Sequence, residues 1–423
     1  MKKLMFVLVI ASLMLTACGG AKTPAASSGP ATISMMMWGE PAELDVWNKI
    51  VADFHTANPN ITVKVDVSDW ESYWTKLKTL LSAGTPPDVF AMDAPLYLDY
   101  QSRGVLLNLQ PYLDKNPDMF NGVYPQTLQA YKTPDGMYGL PRDFQTIALF
   151  YNKDMFDAAG VAYPTADWTY DDLRNAAKKL TKTGSDGKVT QFGFSDDLWD
   201  MELIWSEAIW AYGGDVINAD HTKTLLGEPK AHEAWQLFHD IMFVDKSWPN
   251  STTSDEYGGD PFQAGVAAMT TVGHWVVPGY AELKFKWDVA PMPKGPTGQA
   301  TSVNSAGFVV AKDSKNPDAA FEFLKYVLSE PAQKRLAELG FACPVLKAVA
   351  ESDAFLKQST PIDHKVFLDS LAFAHMKPVF KGYDEWSSAI GDGMAPIWLG
   401  DAELDPTLND VVKAADEVLA KSK

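Results

Sequence analysis

Between Ile33 and Met92 the apolar residues change their spacing from one segment to the next, and that alternation restricts the fold more than any other feature of the chain. Ile33–Trp38 is a short apolar run suited to a strand. After Pro41, Leu44, Trp47, Val51 and Phe54 fall at helical spacing and stop before Pro59. Ile61, Val63, Val65 and Val67 then alternate with polar neighbours, the period of a strand with one buried face. Tyr73, Leu77 and Leu80 or Leu81 mark a second helix closed by Gly84, and Pro86-Pro87-Asp88 leads into the apolar Val89–Met92. Strand, helix, strand, helix, strand is the order of a mostly parallel sheet, because parallel neighbours need a crossover and a helix supplies it.

A second series begins after Gly139-Leu140-Pro141. Ile147, Leu149 and Tyr151 alternate, and Leu173/Ala176/Ala177/Leu180 and Ala231/Ala234/Trp235/Phe238/Ile241 read as helices. The Gly/Pro-rich stretch Pro291–Gly298 precedes a strand at Phe308–Ala311 and helices starting near Pro317 and Pro331. Leu408, Val411, Val412, Ala415 and Leu419 predict an amphipathic closing helix. A chain of 423 residues, 46% of them apolar, has enough core for more than one domain, and two α/β lobes are the economical reading.

The N-terminus has the layout of a secretory signal. Lys2 and Lys3 precede an apolar run, Leu4–Leu13, too short to span a bilayer. Leu15-Thr16-Ala17-Cys18 resembles the lipobox of bacterial lipoproteins, which implies cleavage of residues 1–17 and diacylation of the Cys18 sulfur. Residues 18–31 are small and polar and are expected to act as a flexible tether from a bacterial cell membrane to a body outside the cytoplasm. Cys343, the other cysteine, reads as a core residue.

Several activities are disfavoured. A net charge of −18 with no basic run argues against nucleic-acid binding. Two cysteines leave no four-cysteine zinc site. His232-Glu233 begins like a zinc-protease motif, but Gln236 stands where the second histidine belongs. Ser305 lacks the glycine of a nucleophile elbow, since Val303 occupies that place. P-loop, dinucleotide-binding and EF-hand signatures are absent, so no cofactor and no metal is expected. Paired glycosidase carboxylates stay open, because 54 acidic residues offer many pairs.

Fourteen tryptophans are a heavy load, and several adjoin polar residues, as in Trp38-Gly39-Glu40, Asp69-Trp70, His274-Trp275 and Glu385-Trp386. An indole face complements the C–H face of a pyranose, while neighbouring carboxylates and amides can bond its hydroxyls. In order along the chain, Ile33–Glu40, Ala83–Val89, Gly139-Leu140-Pro141, Leu149–Lys153, Phe262–Met269, Gly273-His274-Trp275, Ala306-Gly307-Phe308 and Pro317–Leu324 resemble the family 1 extracellular solute-binding proteins of ABC importers.

That resemblance implies an α/β, two-lobe periplasmic-binding-protein fold with three hinge crossovers and a ligand cleft between the lobes. Carried onto this chain, it places residues 32–141 and 303–328 in the N-terminal lobe and 142–302 and 329–423 in the C-terminal lobe. It implies a non-catalytic monomer that captures a sugar or short oligosaccharide and delivers it to the membrane permease. An exported glycoside-processing enzyme, or a binder of a uronate or polyamine, is the alternative.

Candidate ligand residues follow position by position. Trp38, Glu40 and Asp93 stand at the carboxyl ends of parallel strands, where clefts open at a switch point. Arg142 and Asp143 lie at the first crossover. Trp275 matches the family's stacking tryptophan, and Gly307 a glycine permitting close approach. Tyr383 and Trp386 fall where other members place aromatic groups of the C-terminal lobe, with Trp199 and Trp205 as further candidates. Replacing Cys18 by Ser is expected to move the protein from the membrane to the soluble fraction without altering its fold; retention at wild-type levels on fractionation would refute the lipobox reading.

Overall fold

A computed structural model describes residues 30–198, 201–360 and 362–422. Cys18, the signal segment, most of the tether and Trp199 lie outside the described residues. The first elements are β1 (Ala31–Trp38), α1 (Pro41–Ala57), β2 (Ile61–Ser68), α2 (Trp70–Ser82) and β3 (Val89–Asp93), in the order the spacing predicts. Pro41 opens α1, whose buried stripe is Val46, Trp47, Ile50 and Phe54. Asp69 caps α2 by accepting from the Ser72 amide at 3.0 Å, and Gly84, at φ +69°, takes the left-handed turn beyond its end.

The main later elements are β4 (Gly139–Pro141), β5 (Gln145–Asn152), α3 (Tyr170–Leu180), α4 (Trp205–Ala211), α5 (Pro229–His239), β6 (Met269–Gly273), β7 (Trp287–Pro291), β8 (Thr301–Asn304) and β9 (Ala306–Val310). They continue with α6 (Pro317–Val327), α7 (Glu330–Glu338), β10 (Ala374–Met376), α8 (Tyr383–Leu399) and α9 (Leu404–Lys421). Two sheets result. The first has the order β2-β1-β3-β9-β4, with β1 parallel to β2 and β3, and β9 antiparallel to β3 and β4. The second is built around β5, which runs antiparallel to β6, β7 and β8, with β10 parallel to β8. The second sheet is therefore less parallel than the α/β pattern alone suggests.

The chain changes sheet between β4 and β5, again at Ser305 between β8 and β9, and a third time on the way from α7 to β10. These passages are tied to one another. Ser305 Oγ donates to the Asp143 carbonyl at 2.9 Å, and the Tyr131 hydroxyl stands 2.7 Å from the Ser305 carbonyl and 2.9 Å from that of Met92. Buried Gln333 on α7 donates to the carbonyls of Arg142 and Val327 and accepts from the Val345 amide. Buried amides need such partners, so one side chain fixes three segments.

Two boundaries differ from expectation. Thr301–Asn304 pairs with β5 and β10, so the change of sheet falls at Ser305 rather than before Val303. Segments after residue 328, expected in the second lobe, lie against parts of the chain expected in the first: Arg335 pairs with Asp53 of α1 at 3.1 Å, and Leu346 bridges to Val123. At the opposite edge, Asp99 from the first half accepts from the Gly382 amide at 2.6 Å at the start of α8, and Lys78 pairs with Asp384 at 2.9 Å.

Gly307 lies where β9 is sandwiched between β3 and β4. A Cβ there would sit 2.6 Å from the Leu140 carbonyl oxygen and 2.7 Å from the Tyr131 ring. The close approach that this glycine allows is therefore between crossovers. Gly307→Ala is expected to lower unfolding stability in urea by about 1–3 kcal/mol through overpacking, whether or not a ligand is present.

Candidate ligand-binding site

The carboxyl ends of β1 and β3, the first crossover, the turn after β6 and the segment around Lys377 enclose a cavity of about 330 Å³. That size is at the lower end of the roughly 300–1,000 Å³ of small-molecule sites. Its best-defined group is Arg142, which is 3% exposed. The guanidinium carbon lies 5.2 Å from the Trp38 ring centroid, 5.4 Å from those of Trp47 and Phe341, and 5.5 Å from that of Phe308. Aromatic faces attract a cation, and four of them leave this one little room to turn. Arg142 Nε is 2.9 Å from an Asp143 carboxylate oxygen, an ion pair off the line of a hydrogen bond.

Polar atoms with unused bonding capacity converge here. Among the described residues, Arg142 Nη1, Asp143 Oδ1 and Gln145 Oε1 are buried without a hydrogen-bond partner, and all three side chains line the cavity. Leaving such atoms unpaired costs about 1–3 kcal/mol each. One donor and two acceptors within one cavity match a ligand rich in hydroxyls, each of which both donates and accepts. Burial raises the Asp143 carboxyl above the ordinary range against the opposing pull of Arg142. Glu43, in the first turn of α1, is pushed up to about 7, chiefly by burial, with Arg142 opposing and Asp143 and Glu40 adding to the rise. Its carboxylate has room because residue 39 is glycine; a Cβ there would be 2.8 Å from Glu43 Oε2.

Farther along the wall, groups from both sheets meet. Asn304 at the end of β8 donates to Asp93 Oδ1 at 2.6 Å and to Glu202 Oε2 at 3.0 Å. Lys377, just past β10, pairs with Glu202 at 2.8 Å and lies 3.9 Å from Asp93. The apolar faces come from three indoles. Trp38 packs edge-on against Trp70 at 5.0 Å on one side, and half-buried Trp275 stands after β6 on the other. Its chain neighbour His274 is buried and tied to the segment around residue 364. His364 Nε2 faces the Thr360 carbonyl at 3.0 Å and must donate to it, so His364 Nδ1 accepts from His274 Nε2 at 2.9 Å. The Trp275 ring also folds over Gly273, where a Cβ would be 1.8 Å from it.

Of the residues singled out in the sequence, Trp38, Glu40, Asp93, Arg142, Asp143 and Trp275 line this cavity. Tyr383 lines an adjoining one and donates to Met201 Sδ at 3.1 Å. Trp205 and Trp386 are core residues instead: Trp205 packs against Trp235 at 5.1 Å, and Trp386, fully buried, donates to Thr224 Oγ1 at 3.0 Å. Gly307 is spent on the crossovers, as described above. The sequence reading missed Glu43, Trp70, Gln145, Glu202, Asn304 and Lys377. Only Trp70 carried a signal, as an indole beside an acid.

Two sheets joined by three passages, with a polar and aromatic cavity where they meet, define a two-lobe binding-protein fold. Residues 38–334 match the model of the bacterial extracellular solute-binding proteins, and the chain belongs to that family. It is 29% identical over 373 residues to a putative binding protein of Brucella abortus, covering 87% of this chain and 88% of that one. It is 26% identical over 340 residues to the maltodextrin-binding protein of Bacillus subtilis, covering 77% and 76% respectively. A Listeria monocytogenes ABC substrate-binding protein, solved in complex with cycloalternan, superposes with a TM-score of 0.84 at 28% identity, covering 92% of this chain and 99% of that one.

Glu43 generates a pH test. Its folded pKa of about 7 is above its ordinary 4.5, so folding favours the protonated form, and stability falls as pH rises from 4.5 through 7. Glu43→Gln removes that loss. Relative to wild type, the variant is expected to gain about 2–3 kcal/mol of unfolding stability between pH 4.5 and pH 8. Parallel denaturation profiles across that range would contradict the burial of this carboxyl.

Proposed function

We propose that the protein captures a sugar or short oligosaccharide in this cavity and presents it to the permease subunits of an ABC importer. It does so as a monomer held to the membrane through an acylated Cys18 and a leash ending near residue 31. It performs no bond cleavage. In this reading the first lobe runs to the first crossover and resumes after Ser305, the second lobe lies between those points, and the third passage falls beyond residue 350. The observation that carries the proposal is the convergence of unpartnered Arg142, Asp143 and Gln145 atoms with the indoles of Trp38, Trp70 and Trp275 in one cavity. Sugars present alternating apolar faces and hydroxyl edges, and this cavity offers both complements.

The kinship with a maltodextrin-binding protein and the likeness to a substrate-binding protein solved with cycloalternan support the same ligand class. Charge supports a neutral ligand over an acidic one. Glu40, Asp93, Asp143 and Glu202 outnumber Arg142 and Lys377, and both cations already face carboxylates. A uronate would add a charge of the wrong sign.

A thermal-shift screen against a panel of neutral sugars tests the class, because a ligand that binds only the folded state raises the melting temperature. For any sugar that binds, Trp275→Ala is expected to cost about 2–4 kcal/mol of binding. That is a loss in affinity of about 30- to 1,000-fold. Titration calorimetry on a variant whose folding is verified by circular dichroism measures it, and unchanged affinity would remove Trp275 from the site.

A further inference from the structure

Beside the cavity at Trp275 lies a second, of about 410 Å³, between α2 and α8. Trp70, Asp93 and Lys377 border both. Among the described residues, what the two share is thus one aromatic ring and one ion pair. Lys377 is only 4% exposed, although lysine ordinarily keeps its ammonium in water because dehydration costs several kcal/mol. Glu202 and Asp93 compensate it, at 2.8 and 3.9 Å, and Asn304 binds the same two carboxylates. The second chamber offers the rings of Trp74 and Tyr383, the hydroxyl groups of Ser387 and Ser388, and the carboxylates of Asp384 and Asp392. Its chemistry repeats that of the first: apolar faces with bonding groups at the edges.

We propose that Lys377 is a specificity-determining residue that closes the end of the sugar site, confining the ligand to a short saccharide in the first chamber. The second chamber accepts a further sugar unit only when this side chain is withdrawn. The inference rests on the sugar-binding reading above. Its physical basis is that a buried ion pair is costly to break, since displacing the ammonium takes a compensating charge away from two buried carboxylates, Glu202 and Asp93. A longer chain would have to meet that cost before gaining contacts with Trp74 or Tyr383.

The test uses Lys377→Ala combined with Glu202→Gln, which removes the wall and one of the carboxylates stranded by it, and Lys377→Met, which keeps the bulk. Ligand-free crystal structures of wild type and the double variant show whether the chambers join. Titrations with maltose, maltotriose, mannobiose and mannotriose measure how affinity changes with one added unit. In the double variant the chambers should be continuous, and the trisaccharide-to-disaccharide affinity ratio should rise about tenfold or more. Lys377→Met, whose bulk is no longer held in place by an ion pair, should raise the ratio by less than the double variant does. Chambers still divided in the double variant, or an unchanged ratio once they have joined, would overturn the proposal. If none of the four sugars binds wild type, the wider sugar panel decides the sugar reading, and the crystal structures still decide whether Lys377 divides the cleft.

Discussion

A guanidinium surrounded by four aromatic rings holds the centre of this molecule together. The rings around Arg142 come from β1, α1, β9 and the segment after α7, so a single cation gathers four separate segments at the point where the chain leaves the first sheet. A buried charge is tolerated only when its lost hydration is replaced. Here the replacement is partial: π faces on several sides and one carboxylate, with Nη1 left for something else. Lysine would not substitute, because a point charge on a flexible stem can neither stack on flat rings nor hold a second donor at a fixed angle.

The same economy explains why the cavity is acidic yet suited to a neutral ligand. Desolvation pushes Glu43 up to about 7, so the local field is weaker than the number of carboxyl groups suggests. A neutral acid can donate as well as accept, which widens the set of hydroxyl orientations the site can satisfy. Glu207, deeper in the second half, is raised to about 8 by the same burial, but the Ser302 amide and the Ser206 hydroxyl already occupy it, and it lies away from the cavity.

Legibility in the sequence followed the range of the interactions. The elements from β1 to β3 could be read because each buries one face and carries the period of its own geometry. Trp38, Glu40 and Asp93 could be read because strand ends of a parallel sheet are where clefts open. Asn304, Glu202 and Lys377 could not. They come from three distant stretches and meet only after the sheets are placed, so no local spacing announces them. Trp205 and Trp386 show the converse failure. A platform and a core residue on a helix use the same spacing, and the core claimed both. The antiparallel centre of the second sheet was also out of reach, because its partners β6, β7 and β8 are more than a hundred residues from β5.

One residue, Ser305, separates a strand of the second sheet from a strand of the first. With β8 and β9 each locked in a ladder, any change in the angle between the sheets has to be absorbed, along this passage, by the torsions at this joint. The nearby crossover is coupled to it, because the Ser305 hydroxyl holds the Asp143 carbonyl. A one-residue joint between two ladders leaves room for rotation and none for sliding, unless a ladder breaks. In any such rotation displacement grows with lever arm: Asp143 and Asn304, in contact with Ser305, would travel least, and groups far from the joint most.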